Sequence, residues 1–320
     1  MHVTPLVDVA VRNAVLAQLD RAEAAWPRWA GGDDDGEAVH DVRVAVRRAR
    51  ALLREGEGLL THRPPKPLRR ALRALARGSG ALRDLDVALP HVVQAIDTAE
   101  GAAREAGLAL LAAWRDRRAA HHAALVTTLG TAVPRWREGR ARFALVHLSL
   151  DTPGSAVVEA GQAWVAKRWR GAADAIAMVS PRDADALHAL RIRLKQVRAL
   201  VVTLDDELRQ RAPAIEALAT LATEWQDRLG AMRDAMVRAS LAVATRDALD
   251  PRHAAEVTSL ATRWRAEADA AQAAARFEWQ RTGRAALRDA LRAAADALVQ
   301  PTAPVVPPPR RRRRRAPHLH

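Results

Sequence analysis

Two stretches of this sequence carry basic residues at a spacing suited to anions. The first is Ala38–Arg54, AVHDVRVAVRRARALLR; the second is Ala186–Val201, ALHALRIRLKQVRALV. On a helix of 3.6 residues per turn, His40, Arg43, Arg47, Arg50 and Arg54 fall within about 80° of one another. His188, Arg191, Lys195 and Arg198 occupy the same stripe of the second copy. Such a row sets one cation every ~5–6 Å along a helix face. Arginine is permanently charged and forks onto two oxygens, so the row is built to hold a phosphate-like polyanion. A histidine on each row adds charge as pH falls toward 6.

A row like this needs a helix anchored by its other face. Val42, Val46, Ala49 and Leu53 collect beside the first stripe, and Leu190, Leu194, Val197 and Val201 beside the second. Each copy therefore reads as an amphipathic helix with one face for a core and a neighbouring stripe for anions. The composition is helical throughout: 49% of residues are hydrophobic, much of that Ala and Leu, and the prolines cluster. With two Phe and no Tyr, the nine Trp supply the aromatic packing.

The pattern predicts helices over 6–30, from the Asp33–Asp35 cluster to about Leu60, and from about Leu68 onward through the segment at Gly80. Acidic charge at the head of the second suits its dipole. A hairpin, roughly Ala99–Leu129 and Arg135–Leu150, leads to a break at Leu148–Ser155. A helix from about Ala156 to Met178 follows, and Ser180–Asp183 signals the start of the second basic helix. Pro213–Arg228 and two last helices, about Arg252–Ala275 and Phe277–Val299, complete the body.

The order is a repeat. GALRDLDV at Gly80–Val87 returns as GAMRDAMV at Gly230–Val237, an offset of 150 against 148 for the basic helices. Two motifs in the same order at nearly the same offset mark an internal duplication. The expected fold is therefore all-α: two pseudo-symmetric bundles of long antiparallel helices, 5–150 and 156–300. Residues 301–320 hold six consecutive arginines, Arg310–Arg315, among prolines, and read as a disordered basic tail.

Of the net charge of +14, six come from that run, and the remaining +8 belongs to the body. Nearly all of it is Arg; Lys occurs only at 66, 167 and 195. The absence of Cys leaves no disulfide and no thiolate metal site. Neither a signal-peptide pattern nor a stretch of ~20 apolar residues is present, so a cytoplasmic protein is expected.

Glu37–Arg50, Leu187–Leu200 and the two G-A-[LM]-R-D segments resemble the CHAD family, the conserved histidine α-helical domain. The resemblance covers about residues 5–300. It implies two packed helical bundles, binding of inorganic polyphosphate by basic residues of both halves, and association with polyphosphate granules. Matched residue by residue, it implies binding roles for His40, Arg43, Arg47, Arg48 and Arg50, for His188, Arg191, Lys195 and Arg198, and for Arg83 and Arg233 of the R-D elements. Gln196 departs from the pattern at the equivalent of Arg48, and Ala199 stands where many members carry an aromatic residue. The ExExK signature of the triphosphate-tunnel domain found in some members does not occur, so that enzymatic activity is not implied.

Competing readings are weaker. His40–Asp41 spells the HD of metal phosphohydrolases, but its repeat partner is His188–Ala189, and neither histidine has a second ligand at i+3 or i+4. No metal or cofactor is therefore expected. Asp84 and Asp234 are expected to hold an arginine by a salt bridge, and Gly80 and Gly230 to let helices approach closely. No phosphate-cradling glycine loop is present. Nucleic acid remains a partner for the Arg310–Arg315 tail, although no helix-turn-helix or other DNA-reading motif is visible.

Overall fold

A computed structural model describes residues 3–30, 37–57, 60, 62–145, 154–180, 184–201, 204 and 212–299. The expectations for Asp33–Asp35, for Leu148–Pro153 of the mid-chain break, for Pro181–Asp183 and for 301–320 concern residues outside that set. Among the described residues every regular element is helical. The first half holds α1 (Val3–Ala30), α2 (Glu37–Glu55), α3 (Lys66–Asp97) and α4 (Gly101–Leu145). The second holds α5 (Gly154–Ala177), α6 (Ala184–Val201), α7 (Pro213–Arg246), α8 (Ala254–Glu278) and α9 (Arg284–Val299).

Both basic helices bury the predicted face. Val42, Val46 and Ala49 are buried and Leu53 is half-buried; Leu190, Leu194, Val197 and Val201 are all buried. The two helices pack on each other, which brings the repeats together at the centre of the molecule. α3 and α4 form one long hairpin, and α7 and α8 its counterpart.

The halves do not keep separate cores. One apolar cluster runs continuously from α1 and α2 through α5, α6 and the start of α7 to α9. A second joins the far ends of the two hairpins, with Leu85, Val92 and Trp114 from one and Ala242, Val257 and Trp264 from the other. Trp114 and Trp264, 150 residues apart like the R-D motifs, stack with ring centroids 6.0 Å apart. The indole of Trp114 also donates to Thr245 Oγ at 3.0 Å.

Element boundaries depart from expectation in three places. α2 ends at Glu55 rather than near Leu60, because Gly56 and Gly58 follow, and a Cβ at Gly56 would lie 2.7 Å from Val11 Cγ1. The expected hairpin of Ala99–Leu129 and Arg135–Leu150 does not form; α4 is one helix that continues through Pro134 to Leu145. Proline removes one backbone donor there, but Leu125, Leu129, Ala132, Trp136 and Phe143 keep one buried face across it. Between α8 and α9 the chain stays helical through a π turn, Trp279–Gly283. A wider turn is fitted at Gly283, where any Cβ would sit 2.0 Å from Trp225.

Candidate functional site

The surface between the halves is a cleft of about 730 Å³. α2 contributes His40, Arg43, Arg47 and Arg48, and α6 contributes Arg191, Lys195 and Arg198. Arg83 of α3 and Arg233 of α7 enter from the R-D elements. Nine of the twelve residues singled out from the sequence thus share one site. Counting Arg238 and leaving the histidines aside, nine arginine and lysine side chains face four carboxylates, Asp84, Asp227, Asp234 and Glu267.

Three of the twelve lie elsewhere. Arg50 and Arg54 open onto a separate cleft beside the first turns of α3. From His40 to Arg54 the stripe covers about 21 Å of helix axis. Over that length its neighbours change, from α6 near Arg47 to α3 near Arg54. His188 faces a neighbouring depression that shares Arg191 and Arg233 with the cleft but also holds Met232 and Met236. The repeat is therefore unequal at its histidines: His40 lines the cleft and His188 does not.

The cations crowd one another. Burial, reinforced by Arg191, Arg47, Arg233 and Arg43, pushes the Lys195 ammonium down to about 7. Burial and the charges of Arg43, Arg48, Arg198 and Arg191 push Arg47 down to about 10, still charged at neutral pH. Arg43, Arg48 and Arg191 move in the same direction, with burial the first cause for each. His40 is lowered as well, by burial and then by Arg83 and Arg47. Cations crowded and desolvated in this way suit an anionic ligand.

A few partners fix the walls. Arg233 donates to Asp84 at 3.2 Å and lies 3.7 Å from Asp234; Arg43 donates to the Ser79 carbonyl at 3.3 Å; Arg198 donates to Gln226 at 2.7 Å. The expected role of Asp84 as an arginine holder agrees with this geometry. Among the described residues Arg191 Nε and Gln226 Nε2 are buried donors without an acceptor. Unsatisfied donors on a cleft wall suit an acceptor-rich ligand.

Sequence reasoning did not pick out Arg238, Gln226, His91 or Glu267. Arg238 was within reach, four residues past Asp234 on the same helical face. It is buried, donates to Glu267 at 2.7 Å and lies over the Trp264 ring at 5.6 Å. Glu267 enters from α8, whose sequence gives no sign of the site. Gly80 and Gly230 correct an expectation: a Cβ at either would meet nothing within 4 Å, so neither permits a close helix approach. Gly230 instead lines the cleft and leaves it room. Among the described residues no three His, Asp or Glu side chains group as a metal-ligand set, and no helix is long and apolar enough to cross a membrane.

Fold and site together define an all-helical, internally duplicated protein whose two halves converge on one basic cleft. The family model of the CHAD domain matches residues 13–243, and the chain belongs to the CHAD family. Two solved structures share the fold. The CHAD domain from the plant Ricinus communis is similar at 21% identity and a TM-score of 0.63, covering 89% of this chain and 91% of that one. PptA from Streptomyces chartreusis is similar at 18% identity and a TM-score of 0.58, covering 86% of this chain and 99% of that one. No curated protein matches the chain.

Proposed function

We propose that this protein binds inorganic polyphosphate in the central cleft without turning it over, and that this binding places it on polyphosphate granules. The observation that carries the reading is the convergence of Arg43 and Arg47 of one repeat with Arg191 and Lys195 of the other in a single cleft. Polyphosphate has about one charge per unit and no bases to read, so rigid cations at helical spacing are the recognition it needs. Two of the four cleft acids are engaged by arginines, Asp84 by Arg233 and Glu267 by Arg238, which supports binding without turnover.

The test is a competition titration with a version ending at Gln300. Labelled long-chain polyphosphate is challenged with duplex DNA at matched charge and physiological salt. Polyphosphate stays bound and DNA fails to displace it. Equal displacement by DNA, or loss of binding on removal of Arg310–Arg315, replaces this reading with non-specific nucleic-acid binding. Charge reversal at Arg43, Arg47, Arg191 and Lys195 abolishes binding while helicity is retained.

A further inference from the structure

A second basic cleft of about 420 Å³ lies outside the central one, where α2 ends and α3 begins. Arg50 and Arg54 come from the last turns of α2, Arg63 from the connection, and Arg69 and Arg73 from the first turns of α3. Glu57 is the one carboxylate in its lining, and among the described residues none of the five arginines makes an ion pair. Arg50 is held below its ordinary range by burial and by Arg54, Arg73 and Arg77. These cations are gathered against their mutual repulsion, five arginines to the single carboxylate of Glu57.

The cleft is in line with the central one. Arg43 bonds the Ser79 carbonyl while Arg50 sits near Arg73 and Arg77, so α2 and α3 run antiparallel. On α3, Arg69 and Arg73 fall within about 80° of Arg83, which lines the central cleft. On α2, Arg47 and Arg54 belong to one stripe about 10 Å long. Two basic stripes on adjacent helices therefore lead from one cleft to the other.

Nothing in the duplication requires this. With the offset of 150, Leu68 and Leu218, Leu72 and Ala222, and Leu75 and Trp225 are all buried pairs, so the registers of α3 and α7 correspond. In that register Arg69, Arg73 and Arg77 are matched by Ala219, Thr223 and Asp227. The central cleft is shared by both halves; the outer one belongs to the first half alone.

We propose that the outer cleft is a second oligophosphate site, which takes the next stretch of a long polymer leaving the central cleft. The inference rests on the polyphosphate reading and gives the track a direction: chains leave along α2 and α3, not along α6 and α7.

The test compares the full chain with an outer variant, Arg54→Gln/Arg69→Gln/Arg73→Gln, and a central variant, Arg47→Gln/Lys195→Gln. The outer positions are all exposed, so the fold is retained, which circular dichroism checks. In calorimetric titrations with inorganic tripolyphosphate, each variant binds one equivalent fewer than wild type. Long-chain polyphosphate binds the outer variant about tenfold or more weakly. If the outer variant keeps every equivalent of tripolyphosphate and its affinity for the long polymer, the second site does not exist, while the central reading stands. If the central variant keeps both instead, it is the central reading that fails. Tight binding of ATP at the outer cleft, with no dependence of affinity on polymer length, would assign the cleft to a free nucleotide and overturn the continuation.

Discussion

Arg233 of α7 donates to Asp84 of α3 at 3.2 Å, closer than to its own neighbour Asp234 at 3.7 Å. Asp84 and Asp234 are equivalent in the repeat, so the acid of one half holds the arginine of the other. The pair is partly exposed and contributes at most about 1 kcal/mol to stability. Its larger effect is on aim, because it fixes a guanidinium at the seam of the cleft. Asp84→Asn adds a net positive charge, and a cleft that worked by charge alone would bind more tightly. The expected result is the opposite, polyphosphate binding about threefold weaker at physiological salt with an unchanged melting temperature. Tighter binding in the same calorimetric titration would show that Arg233 needs no holder.

Lys195 is half-buried among Arg191, Arg47, Arg233 and Arg43. Its ammonium is unfavourable in the free protein and favourable once an anion enters. Lys195→Met keeps the aliphatic length and removes the charge. The variant is expected to melt a degree or two higher than wild type, since about 1 kcal/mol shifts the midpoint of a chain this size by ~1–2 °C. It also binds polyphosphate about tenfold more weakly, the loss of one charge-assisted contact. Stability and affinity moving in opposite directions is the signature of a binding site; scanning calorimetry and a titration of the same sample read both.

The same lysine sets a pH dependence. Its value near 7 in the folded chain lies below the ordinary 10.5, so between those limits the unfolded chain holds more protons. Stability of the free protein therefore rises with pH from about 7 to about 10. Binding runs the other way. A bound polyanion restores the ammonium, so complex formation takes up a proton above pH 7 and affinity falls as pH rises through that point. His40, also lowered, adds charge only at more acidic pH. Titrations in buffers of different ionisation enthalpy should show uptake approaching one proton near pH 8. Lys195→Arg, charged throughout, flattens the profile; a profile that stays steep in this variant places the titrating group elsewhere.

Much of this was legible from residue spacing alone. The stripes of α2 and α6 follow from 3.6-residue periodicity, and the repeat from two motifs at nearly equal offsets. What escaped was set by packing between helices. No local signal says that the stripe of α2 changes neighbours after Arg47, which sends Arg50 and Arg54 to another cleft. Likewise Pro134 marks a break locally, and only the buried face from Leu125 to Phe143 keeps α4 whole. Glu267 reaches the cleft from a helix that carries no motif.

The glycines of the R-D motifs separate fold from function most cleanly. Gly80 and Gly230 lie inside long helices, where glycine costs about 0.5–1 kcal/mol relative to alanine. A methyl group at either would touch nothing within 4 Å. Alanine at either position is therefore expected to stabilise the chain by about that amount, read as a higher denaturant midpoint at constant slope. The two differ in what lies beyond the missing methyl. Gly230 lines the central cleft between Asp227 and Arg233, whereas Gly80 is not among its lining residues. Gly230→Ala should weaken polyphosphate binding severalfold, because the methyl occupies room the polymer needs, and Gly80→Ala should leave it unchanged. Equal binding by both variants would mean that the polymer does not contact the cleft wall at Gly230.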